Sequence, residues 1–168
     1  MGWTSYHVNG KIDKKAEIAK NLSCKVLKAI VKGNVWYGAC ELKDGNVIGA
    51  VVLTSCDSRD WYNFSYKIVD ETMGPCESEC PESILALLTP TDNEWANQWR
   101  QRCHEYNSRK KELSRLPFGT RIICHDKEWE KTSYHGKTKW INWDYHQYIM
   151  ETVAARAGYT LKGGEANA

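Results

Sequence analysis

Phenylalanine is nearly absent from this chain, with two residues among 168, and proline and methionine are scarce at four and three. No apolar run approaches the roughly 18 residues that a membrane span needs. The opening Met1-Gly2-Trp3-Thr4-Ser5-Tyr6-His7 has neither a basic segment nor an apolar one, unlike a secretory signal. The expectation is a protein that stays in the cytoplasm, with no membrane partner. Neither glycine-rich phosphate loop occurs, nor does a nucleophile elbow, so no local motif announces catalysis. A strong charge of one sign is also missing: 23 basic and 21 acidic residues leave +2. That balance argues against a general nucleic-acid binder and against an acidic DNA mimic, so electrostatic targeting has to come from local patches.

What is there is cysteine and polar aromatics. Seven cysteines is an odd number, and without an export signal they read as reduced thiols rather than a disulfide framework. Eight tryptophans and nine tyrosines carry polar handles suited to half-wet surfaces, although tryptophans in a core would produce the same count.

The pattern predicts an α+β protein: an antiparallel meander packed by helices over 1–113, a small C-terminal β-module with one packed helix over 117–162, and a disordered tail over 163–168. Trp3 to His7 is extended, and Asp13 caps a short helix ending near Leu22. Segments Lys25 to Val31, Val35 to Leu42 and Val47 to Ser55 are strands separated by Gly33-Asn34 and Asp44-Gly45-Asn46, both hairpin signals. The last of them is apolar without alternation, which places it centrally, buried on both faces. Asn63 to Val69 extends the sheet. Pro81 opens a helix continuing through Leu88, and Thr89 with Asp92 or Thr91 with Glu94 caps another that runs to about Lys111. On it Trp95, Trp99, Cys103 and Tyr106 form one stripe facing the sheet, while Gln98, Arg102, Glu105 and Arg109 face water. After the Leu116-Pro117-Phe118-Gly119-Thr120 boundary, Arg121 to His125 and Lys139 to Trp143 read as short strands. A helix from Tyr145 to Ala157 follows, closed by Gly158.

Three constellations carry chemistry. Cys76 and Cys80, four apart before a helix, make weak zinc candidates with Cys103 and His104. An adjacent Cys-His pair chelates one ion poorly, and Cys103 lies on the buried stripe, so ordinary thiols are the retained reading and no cofactor is expected. A reactive Cys80, favoured by the helix that follows it, is the remaining alternative. Asp57, Asp60, Asp70 and Glu71 flank Trp61-Tyr62-Asn63-Phe64-Ser65-Tyr66, where paired carboxylates are candidates for acid–base work, although acidic residues at strand ends are ordinary. Within that run Asp60, Trp61, Tyr62 and Tyr66 are candidate binding residues. The strongest binding signal is C-terminal, where Arg115, Arg121, Lys127, Lys131, Lys137 and Lys139 interleave with Trp129, Tyr134, Trp140 and Trp143. Cations for phosphates beside aromatic stacking faces form the single-strand binding pattern. Asp126, Glu128 and Glu130 offset part of this charge, and the same aromatics would also serve as the core of a small module.

The stretches Met1-Gly2-Trp3-Thr4, Asn9-Gly10-Lys11-Ile12-Asp13, Asp60-Trp61-Tyr62-Asn63-Phe64-Ser65-Tyr66-Lys67, Asp70-Glu71-Thr72-Met73-Gly74-Pro75, Cys80-Pro81 and Leu87-Leu88-Thr89-Pro90-Thr91-Asp92-Asn93-Glu94, with Trp99-Arg100 and Cys103, cover most of residues 1–106. In these the chain resembles a family of small bacteriophage, prophage and other mobile-element proteins; the likeness weakens after Thr120. The resemblance implies context and no catalytic residue: a non-enzymatic accessory protein in the host bacterial cytoplasm. Its implied work is to bind a bacterial protein or nucleoprotein target as an inhibitor of host defence, in the manner of an anti-CRISPR. Two alternatives stand beside it: a small nucleic-acid-binding protein using the C-terminal module, and an enzyme built on Cys80 or the carboxylates near Trp61.

Overall fold

The structure, a computed structural model, describes residues 4–7, 20, 22–56 and 63–162. The chain divides into two compact units, residues 1–103 and 104–168. The architecture is α+β, as expected.

In the first unit, strands β1 (Thr4–His7), β2 (Lys25–Lys32), β3 (Val35–Glu41), β4 (Val47–Cys56) and β5 (Asn63–Asp70) form one antiparallel sheet in the order β1-β5-β4-β3-β2. Two-residue closure at Gly33-Asn34 pairs Lys32 with Val35, and Gly33 takes φ +58°, a conformation open to glycine at little cost. At the next turn the Asp44 carboxylate accepts from the backbone and side-chain nitrogens of Asn46, which hold its pKa below the ordinary value. β4 is central and covered on both faces, which accounts for its unbroken apolar run. Alternation sends Tyr37, Ala39 and Val51 to one face, against Ile84, Leu85, Trp99 and Cys103. Trp36, Cys40, Ala50, Val52 and Tyr66 go to the other. Gly49 stands where the sheet meets Trp99: a Cβ there would lie 2.6 Å from the indole ring.

A 3₁₀ turn (Glu71–Met73) leads to helix α1 (Glu82–Leu85) and then α2 (Glu94–Arg115). α1 is a single turn and stops before Leu87 and Leu88, shorter than the sequence suggests, because Thr89 is drawn to the sheet. Its N–H donates to Val47 O, and its hydroxyl accepts from Val47 N. With that hydroxyl engaged, the cap of α2 is Asn93, whose Oδ1 accepts from Ala96 N at 2.9 Å. Neither predicted capping pair does this. The buried stripe of α2 runs through Ala96, Trp99, Cys103, Tyr106 and Leu113. Trp95, expected on it, is 62% exposed and lies over Gly74. Arg102, expected to face water, is half-buried and donates to Ser78 Oγ and Pro75 O.

The second unit holds the C-terminal half of α2, strands β6 (Arg121–Cys124), β7 (Lys127–Tyr134), β8 (Lys137–Asn142), β9 (Gln147–Ile149) and β10 (Thr160–Leu161), and helix α3 (Glu151–Ala157). The end of α2 belongs to this unit's core, where Tyr106 and Leu113 pack with Ile122, Trp129, Trp140, Ala154 and Ala155. The sheet has five antiparallel strands in the order β10-β6-β7-β8-β9, where the sequence suggested two. β7 escaped notice because its bounding turns are unusual. His125 and Asp126 both take positive φ, as do His135 and Gly136, the backbone that two-residue primed hairpin turns require. The helix expected from Tyr145 begins only at Glu151. Asn142 Oδ1 accepts from Tyr145 N, His146 takes φ +52°, and residues 147–149 pair with β8 instead. Gly158 closes α3 as expected, at φ +84°. Of the helix predicted over 13–22 only residues 20 and 22 are described, both helical, and the tail over 163–168 lies outside the described residues. Among the described residues no helix is long and apolar enough to cross a membrane.

Candidate functional site

Strand alternation divides the basic-aromatic cluster of the second unit into two sets. Register pairs Ile122 with Trp129 and Lys131 with Trp140, so these side chains share the inner face, under α3 and the end of α2. Trp129 is buried and its Nε1 donates to Cys124 O at 2.9 Å. Trp140 is fully buried. Lys131, 4% exposed, donates to Leu113 O at 2.6 Å and Ser114 O at 3.0 Å and lies 3.4 Å from a Glu151 oxygen. It caps the carbonyl end of α2. These three expected binding residues thus serve the core instead: the period of two that makes Trp129 a neighbour of Ile122 also removes it from solvent. Lys127 belongs to the same face at its margin, donating to Gln147 Oε1 and lying 4.8 Å from the Tyr145 ring centroid. Arg115 is exposed on α2, in a groove of about 330 Å³ with Lys111, Glu112 and Pro117, away from the sheet's outer face.

Arg121, Tyr134, Lys137 and Lys139 fall on the outer face, which neither helix of this unit covers. Tyr134 is 47% and Tyr148 56% exposed. Tyr148 is not among the sequence candidates because it falls in the expected helix, and His146-Gln147-Tyr148-Ile149-Met150 carries no apolar-polar alternation to mark a strand. Between the two rings stands Lys139, whose Nζ lies 3.5 Å from the Tyr148 centroid and 5.1 Å from that of Tyr134. Further along the face a groove of about 230 Å³ is lined by Arg121, Glu128, Glu130, Ile141, Trp143 and Asp144. Arg121 bridges Glu128 and Glu130 at 3.2 Å each, and Lys162 pairs with Glu128. The hydrogen bond from Lys162 is the foremost reason that the Glu128 carboxyl titrates below its ordinary value.

In the first unit, Tyr66 is 2% exposed within the core, not a surface group. Asp57, Asp60, Trp61 and Tyr62 lie outside the described residues. Asp70 caps the 3₁₀ turn by accepting from Thr72 N, and Glu71 is held by Arg100, so both carboxylates have structural partners. Of the zinc candidates, Cys76 and His104 are exposed while Cys80 and Cys103 are buried in the core. The carbonyls of the loop that carries Cys76 and Cys80 accept from Lys32, Trp99 and Arg102. Among the described residues no group of three or more His, Cys, Asp or Glu side chains is placed to hold a metal. Burial raises the Cys80 thiol far above its ordinary range and pushes Cys103 up to about 12. A thiolate at Cys80, the premise of a reactive cysteine, is therefore disfavoured, because desolvation outweighs anything one helical turn supplies.

This yields a direct prediction. In native protein at pH 8, iodoacetamide should modify Cys76 and spare Cys40, Cys80, Cys103 and Cys124, as read by peptide mass spectrometry; rapid labelling of Cys80 would overturn the assignment. The sign for stability follows from the same shifts. Unfolded thiols ionise near 9 whereas the folded Cys103 stays protonated to about 12, so unfolding releases protons and stability should fall as pH rises from 9 towards 12.

No family model, no curated protein and no solved structure matches this chain.

Proposed function

We propose that the protein is a non-enzymatic accessory protein of a bacteriophage or prophage that occupies a macromolecular target in the bacterial cytoplasm. The target class is a defence nuclease or its nucleoprotein complex, and the effect is inhibition of the anti-CRISPR type. The observation that supports this reading is the outer face of the second sheet, where Tyr134 and Tyr148 stand exposed on either side of the half-buried Lys139, with no helix of their unit packed over them. Exposed tyrosines are enriched in recognition surfaces. Catalysis has less support, since Asp70 is engaged in a cap, Glu71 in an ion pair and Cys80 and Cys103 in the core.

The test is affinity capture of the tagged protein from a bacterial lysate, with and without nuclease, beside a Tyr134→Ala/Tyr148→Ala variant. A stoichiometric partner held by the natural chain and lost by the variant is the expected result. A partner retained equally by both would move the binding surface elsewhere, and the absence of any partner would overturn the proposal.

A further inference from the structure

We infer that the outer face of the second sheet binds single-stranded nucleic acid, with Tyr134 and Tyr148 as stacking platforms and Lys139 as the phosphate contact between them. The inference rests on the reading of that face as the binding surface and names what it recognises. Tyr148 lies on β9 and Tyr134 on β7, the strands on either side of β8, which carries Lys139. Both rings lean towards the one ammonium, at 3.5 Å and 5.1 Å from centroid to Nζ. The sequence ring, cation, ring matches the chemical order of a dinucleotide step: base, phosphate, base. Lys137 follows on the same face of β8, about 7 Å along the strand, where a second phosphate can be met.

Charge on this face favours a polyanion at that end. At the opposite end Glu128 and Glu130 are compensated by Arg121 and Lys162, and Asp144 lines the same groove. Among the described residues neither Lys137 nor Lys139 is paired with a carboxylate. The Lys139 ammonium is oriented by aromatic faces, so a phosphate gains it without breaking an ion pair. Stacking on tyrosine tolerates any base, which predicts binding with little sequence preference.

Fluorescence anisotropy with labelled 12-mers of thymidylate and uridylate, at 50 and 200 mM salt, tests the inference on the full chain. Tyr148→Ala is expected to weaken binding about 5- to 150-fold, the range for one lost stacking contact. Lys139→Gln should lower the slope of log affinity against log salt by about 0.7, the value for one phosphate contact on a single strand. Lys28→Ala, on the exposed edge of the first unit's sheet, should change neither. Thermal melts of each variant, matching the natural chain, show that the fold is kept. Failure of both 12-mers to bind, or equal loss in Lys28→Ala, overturns the inference. If no oligonucleotide binds yet Tyr134→Ala/Tyr148→Ala still loses a nuclease-resistant protein partner, this inference fails and the proposed function stands. If oligonucleotides bind as expected while no cellular partner is captured, the inference stands and the proposed function fails.

Discussion

Arg100→Ala is expected to lower the stability of the first unit by about 3–5 kcal/mol, the cost of leaving one partner of a buried ion pair alone. Glu71 is 1% exposed, and Arg100 reaches it with two bonds, Nε to Oε2 at 2.8 Å and Nη2 to Oε1 at 2.6 Å. Trp99 and the backbone of Gly49 lie against the same carboxylate, which leaves it poorly solvated once the guanidinium is gone. Urea unfolding followed by tryptophan fluorescence should show a lowered midpoint with an unchanged slope. Replacing both partners, as Glu71→Met with Arg100→Met, should recover much of the loss, since no charge is then buried. A loss under about 1 kcal/mol for Arg100→Ala would mean that the pair is effectively solvated.

Lys131→Ala is the second large effect, expected to cost about 3 kcal/mol through carbonyls of α2 left without donors and Glu151 left without its cation. The contrast that identifies the cause is Glu151→Gln. If Lys131 acts chiefly as a cap on Leu113 O and Ser114 O, Glu151→Gln costs much less, because both of those bonds survive. Equal losses in the two variants would make the ion pair the dominant contact. Neither change should alter the salt dependence of oligonucleotide binding, since Lys131 lies on the inner face of the sheet; a reduced slope would return it to the binding surface.

Lys131 also shows where reading a sequence in one dimension fails. Six cations interleaved with aromatics look like one patch when counted along the chain. In the structure Arg115 stays on α2 and the other five fall on opposite faces of the sheet, and a lysine between Glu130 and Thr132 gives no sign that its ammonium ends against a helix terminus. β7 itself was hidden because histidine and aspartate occupy turn positions where glycine or asparagine is the ordinary marker. Tyr148 was lost with it, since a short polar strand next to a real helix reads as the helix's first turns.

By itself the sequence determined the four long strands of the first sheet, the central place of β4, the long helix α2 and the closure of α3 at Gly158. These follow from local periodicity and turn chemistry, which act over a few residues and leave a visible pattern. The tertiary structure alone decided which residues share a face: the burial of Trp129, Lys131 and Trp140, the meeting of Tyr134, Lys139 and Tyr148 across three strands, and the pairing of Glu71 with Arg100. Each joins positions that only strand register or helix docking brings together, and neither register nor docking is written in any short stretch of the chain.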